Sequence, residues 1–262
     1  HQAVLQQFPN AECIPQTSIA SCFEAVNLGS VDFAVVPFEN STNGQVVYTY
    51  DLIRDWFGKG CQFKIVAEQF VAIHHNFITK AADFNSIKTV FSHPQVWGQV
   101  GKFLSTLPVN VRREDVSLTS RAAEMVSNDK SNTTAAISSE MAAKLFDIPI
   151  MYGSVEDNKN NTTRFLVLGY EEPPKGEMEE KESGVAELKE SYITSLLFTL
   201  NHNDPGALCA ALNVLSLHGV NMTSINSRPS HLKQWQYVFF VEVHGNLEKE
   251  ENVKKGIEEL GT

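Results

Sequence analysis

Residues 31–46 read VDFAVVPFENSTNGQV, and the parsing of that stretch decides the fold. Residues 31–38 form an apolar run of strand length, rich in Val and Phe, with Pro37 near its end. The run then opens into Glu39, Asn40, Ser41, Thr42, Asn43 and Gly44 before the next helix begins. In open α/β sheets, ligands lie beyond the carboxyl ends of the strands and at helix N-termini. A buried strand that spills into small hydrogen-bonding side chains is therefore a candidate pocket wall.

Further strand-like segments follow at 64–73, 88–92, 109–112, 134–137 and 164–168. Helical patterns alternate with them: IASCFEAVNL (19–28), PQVWGQVGKFLST (94–106), LTSRAAEMVSN (118–128) and SSEMAAKLFD (138–147). This alternation predicts a doubly wound α/β sheet over roughly the first 170 residues. A composition break comes next. EEPPKGEMEEKESGVAELKE (171–190) is dense in Glu, Lys, Pro and Gly and has no aromatic residue, so 171–191 is expected to be a charged linker.

Residues 192–262 read differently. YITSLLFTL (192–200) is strand-like, and PGALCAALNVLSLHG (205–219) is helical, with Leu208, Ala211, Leu212 and Leu215 on one face and Gly219 as its stop. Two strands, NMTSINSRP (221–229) and QYVFFVEVHG (236–245), and a helix, ENVKKGIEEL (251–260), complete the segment. The order βαββα is a ferredoxin-like βαββαβ unit whose last strand is missing. The chain also starts inside a helix already under way, so it reads as a piece of a longer polypeptide.

Charge and composition exclude several classes. A net charge of −10 with no Lys/Arg stripe argues against nucleic acid as a partner, and no apolar run is long enough to span a bilayer. The start, HQAVLQQFPN, has neither the charged nor the apolar region of a secretory signal. Cys13, Cys22, Cys61 and Cys209 are dispersed, which fits free thiols in the cytoplasm. The sequon-like triplets at Asn40 and Asn221 are then accidental. His74 and His75 are neighbours on a strand and cannot share one ion, and no Cys/His cluster or Gly-rich phosphate loop is present, so no metal is expected.

Three polar clusters flank strands: ENSTNG (39–44), SHPQVWGQ (92–99) and NNTTRFLVL (160–168). Ser92 ends a strand, Pro94 suits a first helical turn, and Gln95 and Gln99, four apart, are placed on one helical face. Thr162, Thr163 and Arg164 stand at the entry to an apolar strand. Each cluster alone reads as ordinary turn and cap chemistry, with Arg164 a structural ion pair. Together they suggest a small polar pocket that takes an anion without a strong base.

VPFENSTNG, FSHPQVWGQ, TTAAISSEMAAKLF and NNTTRFLVLG, followed by DPGALCAALNVLSLHGVNMTSINSRPS, resemble the prephenate dehydratase family in order and spacing. The tail resembles an ACT domain, that family's amino-acid-binding regulatory module. The resemblance implies a catalytic domain over 1–170, with two lobes like a type II periplasmic binding protein (1–70 plus 150–170, and 71–149). An ACT domain over 192–262 follows. The resemblance implies conversion of prephenate to phenylpyruvate, water and carbon dioxide without a cofactor, and feedback inhibition by L-phenylalanine. By matching position, Thr163 leads the catalytic set, with Asn40, Ser92 and Gln99 at substrate-contacting positions and Glu39 a weaker member. Arg164, Ser41, Thr42 and Thr162 are the substrate-binding candidates. The effector candidates are Asp204, Gly206, Ala207, Leu208, Asn221, Met222, Thr223, Ser227 and Arg228, at the interface of a homodimer or homotetramer.

The chain departs from the family pattern twice. The G-P-x-G-T-[FY]-S-like loop expected just before the segment of His1 is absent, and the common E-S-R-P reads NSRP, with Asn226 in place of the acid. Arogenate as substrate, or a non-enzymatic anion sensor carrying an ACT domain, are the alternatives. An aromatic amino acid hydroxylase lacks its iron-ligand set here.

Overall fold

The computed structural model describes residues 2–173, 192–201 and 204–261, so the expected linker lies outside the described residues beyond Pro173. The chain begins with α1 (Gln2–Gln7), α2 (Ile19–Asn27), β1 (Phe33–Asn40), β2 (Gly44–Gln45), α3 (Val47–Phe57) and β3 (Lys64–Ala72). It continues through β4 (Asn76–Thr79), β5 (Thr89–Ser92), α4 (Pro94–Trp97), α5 (Gly101–Leu104), β6 (Arg112–Asp115), α6 (Thr119–Asn128), β7 (Thr134–Ser138) and α7 (Glu140–Leu145). β8 (Ile150–Tyr152) and β9 (Thr162–Gly169) precede the C-terminal elements β10 (Ile193–Thr199), α8 (Ala207–Leu217), β11 (Met222–Pro229), β12 (Tyr237–His244) and α9 (Glu251–Leu260).

Two compact units result. One holds His1–Phe38, Val46–Glu68 and Leu166–Thr262; the other holds Glu39–Gln45 and Gln69–Phe165. β1, β2, β3 and β9 form a four-stranded sheet in the order β2-β1-β9-β3.

The second unit is built on a five-stranded sheet, order β6-β5-β7-β4-β8. β5 is parallel to β6 and β7, while β4 is antiparallel to β7 and β8. Its central strands are buried on both faces, and the pleat sorts neighbours into two cores. Phe77, Val90, Ala135 and Ile137 pack with Val96, Val100 and Leu104; Ile78, Phe91 and Ala136 pack with Ala122, Ala123 and Val126 of α6. The edge strand β6, Arg112 to Asp115, is exposed and charged, which discourages further pairing.

In the first unit, α2 starts at a capping box in which Ser18 and Ser21 each bond the other's backbone. Phe23, Val26, Val36, Phe38, Tyr50, Ile53 and Phe63 form its core, and Val238 and Phe240 of β12 belong to the same core. The C-terminal sheet, order β10-β12-β11, is antiparallel throughout, and Leu215 of α8 and Val253 of α9 pack with its Val241 and Val243. The α/β class and the βαββα order expected from the sequence are both present.

Local differences have local causes. The single helix expected over 94–106 is two short ones: Gly98 caps α4, and Asp157 accepts from Gly101 N (2.8 Å) and Lys102 N (3.0 Å) to start α5. Gln99 therefore falls after α4 and not on a shared face with Gln95. Strand β6 begins at Arg112, not at 109, because Val111 N bonds Pro108 O in a turn and Val109 is 100% exposed.

Candidate active site

The C-terminal end of β1, the entry of β9 and the segment after α4 converge in the second unit. Asn40 is the junction. Its Oδ1 accepts from the backbone N–H groups of Thr42 (3.0 Å) and Asn43 (2.9 Å), an Asx-type turn that holds the ENSTNG segment. Because two backbone donors pin the oxygen, the Nδ2 end is the donor. It reaches Asn161 Oδ1 at 2.8 Å and Thr163 Oγ1 at 2.9 Å, with Thr162 O at 3.3 Å.

The chain of donors continues in one direction. Asn161 Nδ2 donates to Gln99 Oε1 (2.9 Å), and Gln99 Nε2 donates to Gln95 O (3.3 Å). His75 Nε2 is 2.8 Å from the same Gln99 oxygen. Beneath it, Glu156 (5% exposed) accepts from His75 N (2.9 Å) and meets His74 Nδ1 (3.0 Å). Burial pushes the Glu156 carboxyl up, but the bonds from His74 and the His75 backbone outweigh it and hold it below the usual range.

This geometry has one chemical consequence. Thr163 Oγ1 accepts a bond from Asn40 and, among the described residues, donates none, so its hydrogen is available to a ligand. The half-buried, mostly neutral cluster donates hydrogen bonds and offers no strong base.

Of the candidates from the sequence, Asn40, Gln99 and Thr163 meet in this network. Ser41 and Thr162 lock β1 to β9: Ser41 N bonds Thr162 O (2.8 Å), and Thr162 N bonds Ser41 Oγ (2.9 Å). Thr42 joins through its backbone only, and Glu39 is half-buried opposite Gln45. Ser92 is fully buried, its hydroxyl donating to Ile137 O at 2.9 Å. Arg164 is half-buried on β9, where strand alternation puts it on the face opposite Thr163. Sequence reasoning missed Asn161, His75 and Glu156. The signals were present: Asn161 immediately precedes the T-T-R-F run, and a His–His pair follows an apolar strand, in the link between β3 and β4 and not on a strand as expected.

In the C-terminal unit, Asp204, Gly206, Ala207 and Leu208 line a groove of about 320 Å³ closed by Trp235, Tyr237 and Phe239. Gly206 sits at φ +88 with open space around it, a backbone only glycine adopts without strain. Asn221, Met222 and Thr223 are at the far end of the sheet. The register Met222↔Val243 puts them about 20 Å along β12 from Tyr237. Ser227 is exposed on β11. Arg228 is engaged elsewhere: its Nε and Nη2 hold the two oxygens of Asp51 on α3, each at 2.9 Å. Asn226 donates to Tyr50 Oη at 2.9 Å, also on α3.

The prephenate dehydratase family model matches residues 1–173, and the ACT domain model matches 194–255. The chain belongs to the prephenate dehydratase family. A protein named probable prephenate dehydratase from Saccharomyces cerevisiae is 38% identical over 99% of this chain and 88% of its own length. The crystal structure of a prephenate dehydratase from Arthrobacter aurescens in complex with L-Phe superposes with a TM-score of 0.81 at 25% identity, over 99% of this chain and 80% of that one. A structure described as GqqA, a novel type of quorum quenching acylase, is also similar, with a TM-score of 0.79 at 27% identity over 99% and 87% of the two chains. In this family member, among the described residues, no helix is long and apolar enough to cross a membrane.

Proposed function

We propose that this chain carries out the decarboxylating dehydration of prephenate to phenylpyruvate, with L-phenylalanine acting as inhibitor through the ACT domain. In this reaction the bond from the ring to its carboxylate breaks, and the electron pair completes the aromatic ring. The C–O bond on the opposite side of the ring breaks in the same sense, and the departing hydroxide takes a proton to leave as water. Aromatisation drives the process, so the protein mainly selects a conformer and assists the leaving oxygen.

The observation that carries this reading is the direction of the Asn40–Thr163 bond. Asn40 donates to Thr163, which donates to no described residue and so can present its hydrogen, and a neutral donor is what a departing hydroxyl needs. Such help is worth ~10²–10⁴ in rate, or roughly 3–5 kcal/mol. Asn40 and Gln99 are the proposed substrate-contacting residues beside it, joined by the buried Asn161. Glu39, Ser41, Thr42 and Thr162 complete the proposed wall, with Ser92 behind it, buried and bonded to Ile137 O, and Arg164 on the opposite face of β9.

The groove at Asp204, Gly206, Ala207 and Leu208 is the proposed effector site. Its aromatic lining and the glycine-started helix suit a small amino acid with an apolar side chain. Asn221, Met222 and Thr223 are too far along the sheet to share that groove within one chain. Their participation therefore requires a second subunit, in a homodimer or homotetramer. The four free thiols agree with a cytoplasmic setting.

The test is phenylpyruvate formation from prephenate, with and without L-phenylalanine, by wild type and Thr163→Val. Wild type is expected to turn over and to be suppressed by phenylalanine. Thr163→Val should lose kcat by about 10²–10⁴. A Val variant as fast as wild type removes the hydroxyl from the mechanism; arogenate consumed in preference to prephenate replaces the substrate.

A further inference from the structure

We propose that His75 is a positioning residue for this reaction, holding the amide of Gln99 in the orientation that the whole donor chain requires. The proposal rests on the prephenate dehydratase reading above and adds a residue to it.

The network is directional from both ends. Backbone N–H groups of Thr42 and Asn43 fix which end of Asn40 is oxygen, and Gln95 O fixes which end of Gln99 is nitrogen. Between them, every amide has only one consistent orientation, and Gln99 Oε1 faces both Asn161 Nδ2 (2.9 Å) and His75 Nε2 (2.8 Å). An oxygen with two lone pairs accepts twice, so His75 must carry hydrogen on Nε2. If the ring presented a bare Nε2, it would repel the Gln99 oxygen. The amide would then turn, Asn161 would lose its acceptor, and Asn40, its oxygen still pinned by Thr42 and Asn43, would lose the Asn161 partner that steadies its Nδ2 end beside Thr163.

The placement of His75 is independent of its ring. Its N–H is held by Glu156 Oε2 at 2.9 Å and its carbonyl accepts from Val155 N at 2.8 Å, while the residue is 7% exposed. A change of side chain here therefore reports on the ring nitrogen and its contact with Gln99. His75 reaches Thr163 only through Gln99, Asn161 and Asn40, so its effect belongs to orientation.

The experiment compares His75→Gln, which keeps an N–H donor near the Nε2 position, with His75→Leu, which keeps bulk alone, in the full chain. His75→Leu is expected to lower kcat about 10–100-fold, with KM changed less than about threefold. His75→Gln is expected to stay within about threefold of wild type in both. Leu matching wild type, or Gln falling as far as Leu, overturns the proposal. A second measurement needs no substitution: nitrogen NMR of the full chain labelled with ¹⁵N-histidine should show a protonated Nε2 at His75. A bare Nε2 there refutes the relay even if His75→Leu fails to fold. Wild type inert toward prephenate would instead sink the substrate assignment, leaving the nitrogen spectrum to decide the relay on its own.

Discussion

Removing Asp51 should cost the protein more than removing the arginine it grips. Asp51 on α3 is held by Nε and Nη2 of Arg228, each at 2.9 Å, and by Arg54 Nη1 at 3.0 Å. Its partners differ in what they keep. Arg54, 7% exposed, also bonds Asp55 Oδ1 (2.8 Å) and Pro229 O (2.9 Å). In Arg228→Ala, Asp51 keeps Arg54, so the loss is about 1 kcal/mol, near the upper end for a partly exposed pair. In Asp51→Ala, the guanidinium of Arg228 loses its partner beside that of Arg54. The cost of breaking a buried pair, ~3–5 kcal/mol, falls to about 2–3 here because Asp51 and Arg228 keep a quarter or so of their surface in water. The double variant should show a coupling of about 1 kcal/mol.

Urea unfolding at neutral pH, followed by near-ultraviolet circular dichroism and by tryptophan fluorescence, measures all four proteins. Val238 and Phe240 share a core with Val36, Phe38 and Tyr50, and Phe240 meets Tyr50 edge-on at 5.1 Å. The C-terminal sheet should therefore unfold with the rest of its unit. Arg228 holds the Asp51 carboxyl below its ordinary value, so the bond contributes fully above about pH 4 and is lost as pH falls through the depressed value. The gap between wild type and Asp51→Ala should accordingly narrow only in acid. A coupling under about 0.3 kcal/mol, or an independent transition of the C-terminal sheet, would refute the reasoning.

Asp129 accepts from Ser131 N (2.8 Å), Ser131 Oγ (2.7 Å) and Thr134 Oγ1 (2.7 Å); burial opposes these bonds, yet they hold its carboxyl at about 2. Asp129→Ala should cost about 1–2 kcal/mol at pH 7 after allowance for solvent screening, the gap closing as pH falls from about 4. Denaturant titrations across that range check it. Gly245→Ala should cost about 1–3 kcal/mol, since the residue is at φ +113 and an added Cβ would stand 2.6 Å from Val253 Cγ2. A variant as stable as wild type in a thermal melt would mean that α9 shifts at little cost.

The sequence alone determined the layering. Period-2 and period-3.6 patterns follow from which faces must be buried, so β7, α6 and α9 were legible within a residue or so. The short strands β4 and β8 were not: four and three residues carry too little pattern to distinguish a strand from a loop. Polar clusters after strands marked the segments because they stand out against apolar runs, and the family resemblance picked out Asn40, Gln99 and Thr163 within them.

Only the tertiary structure decided which of those side chains meet and which way each amide points. Residues 40 and 163 are far apart in sequence, and a hydrogen bond between them depends on the register of two strands. The break at Gly98, enforced by Asp157 from a distant loop, placed Gln99 against His75 and Asn161. Likewise Arg228, a residue that the family resemblance assigned to the effector, is committed to Asp51. A hydrogen bond is specified to a few tenths of an ångström and to an angle, whereas burial asks only for a side chain of the right character. Sequence patterns carry the second kind of information directly and the first only through the fold.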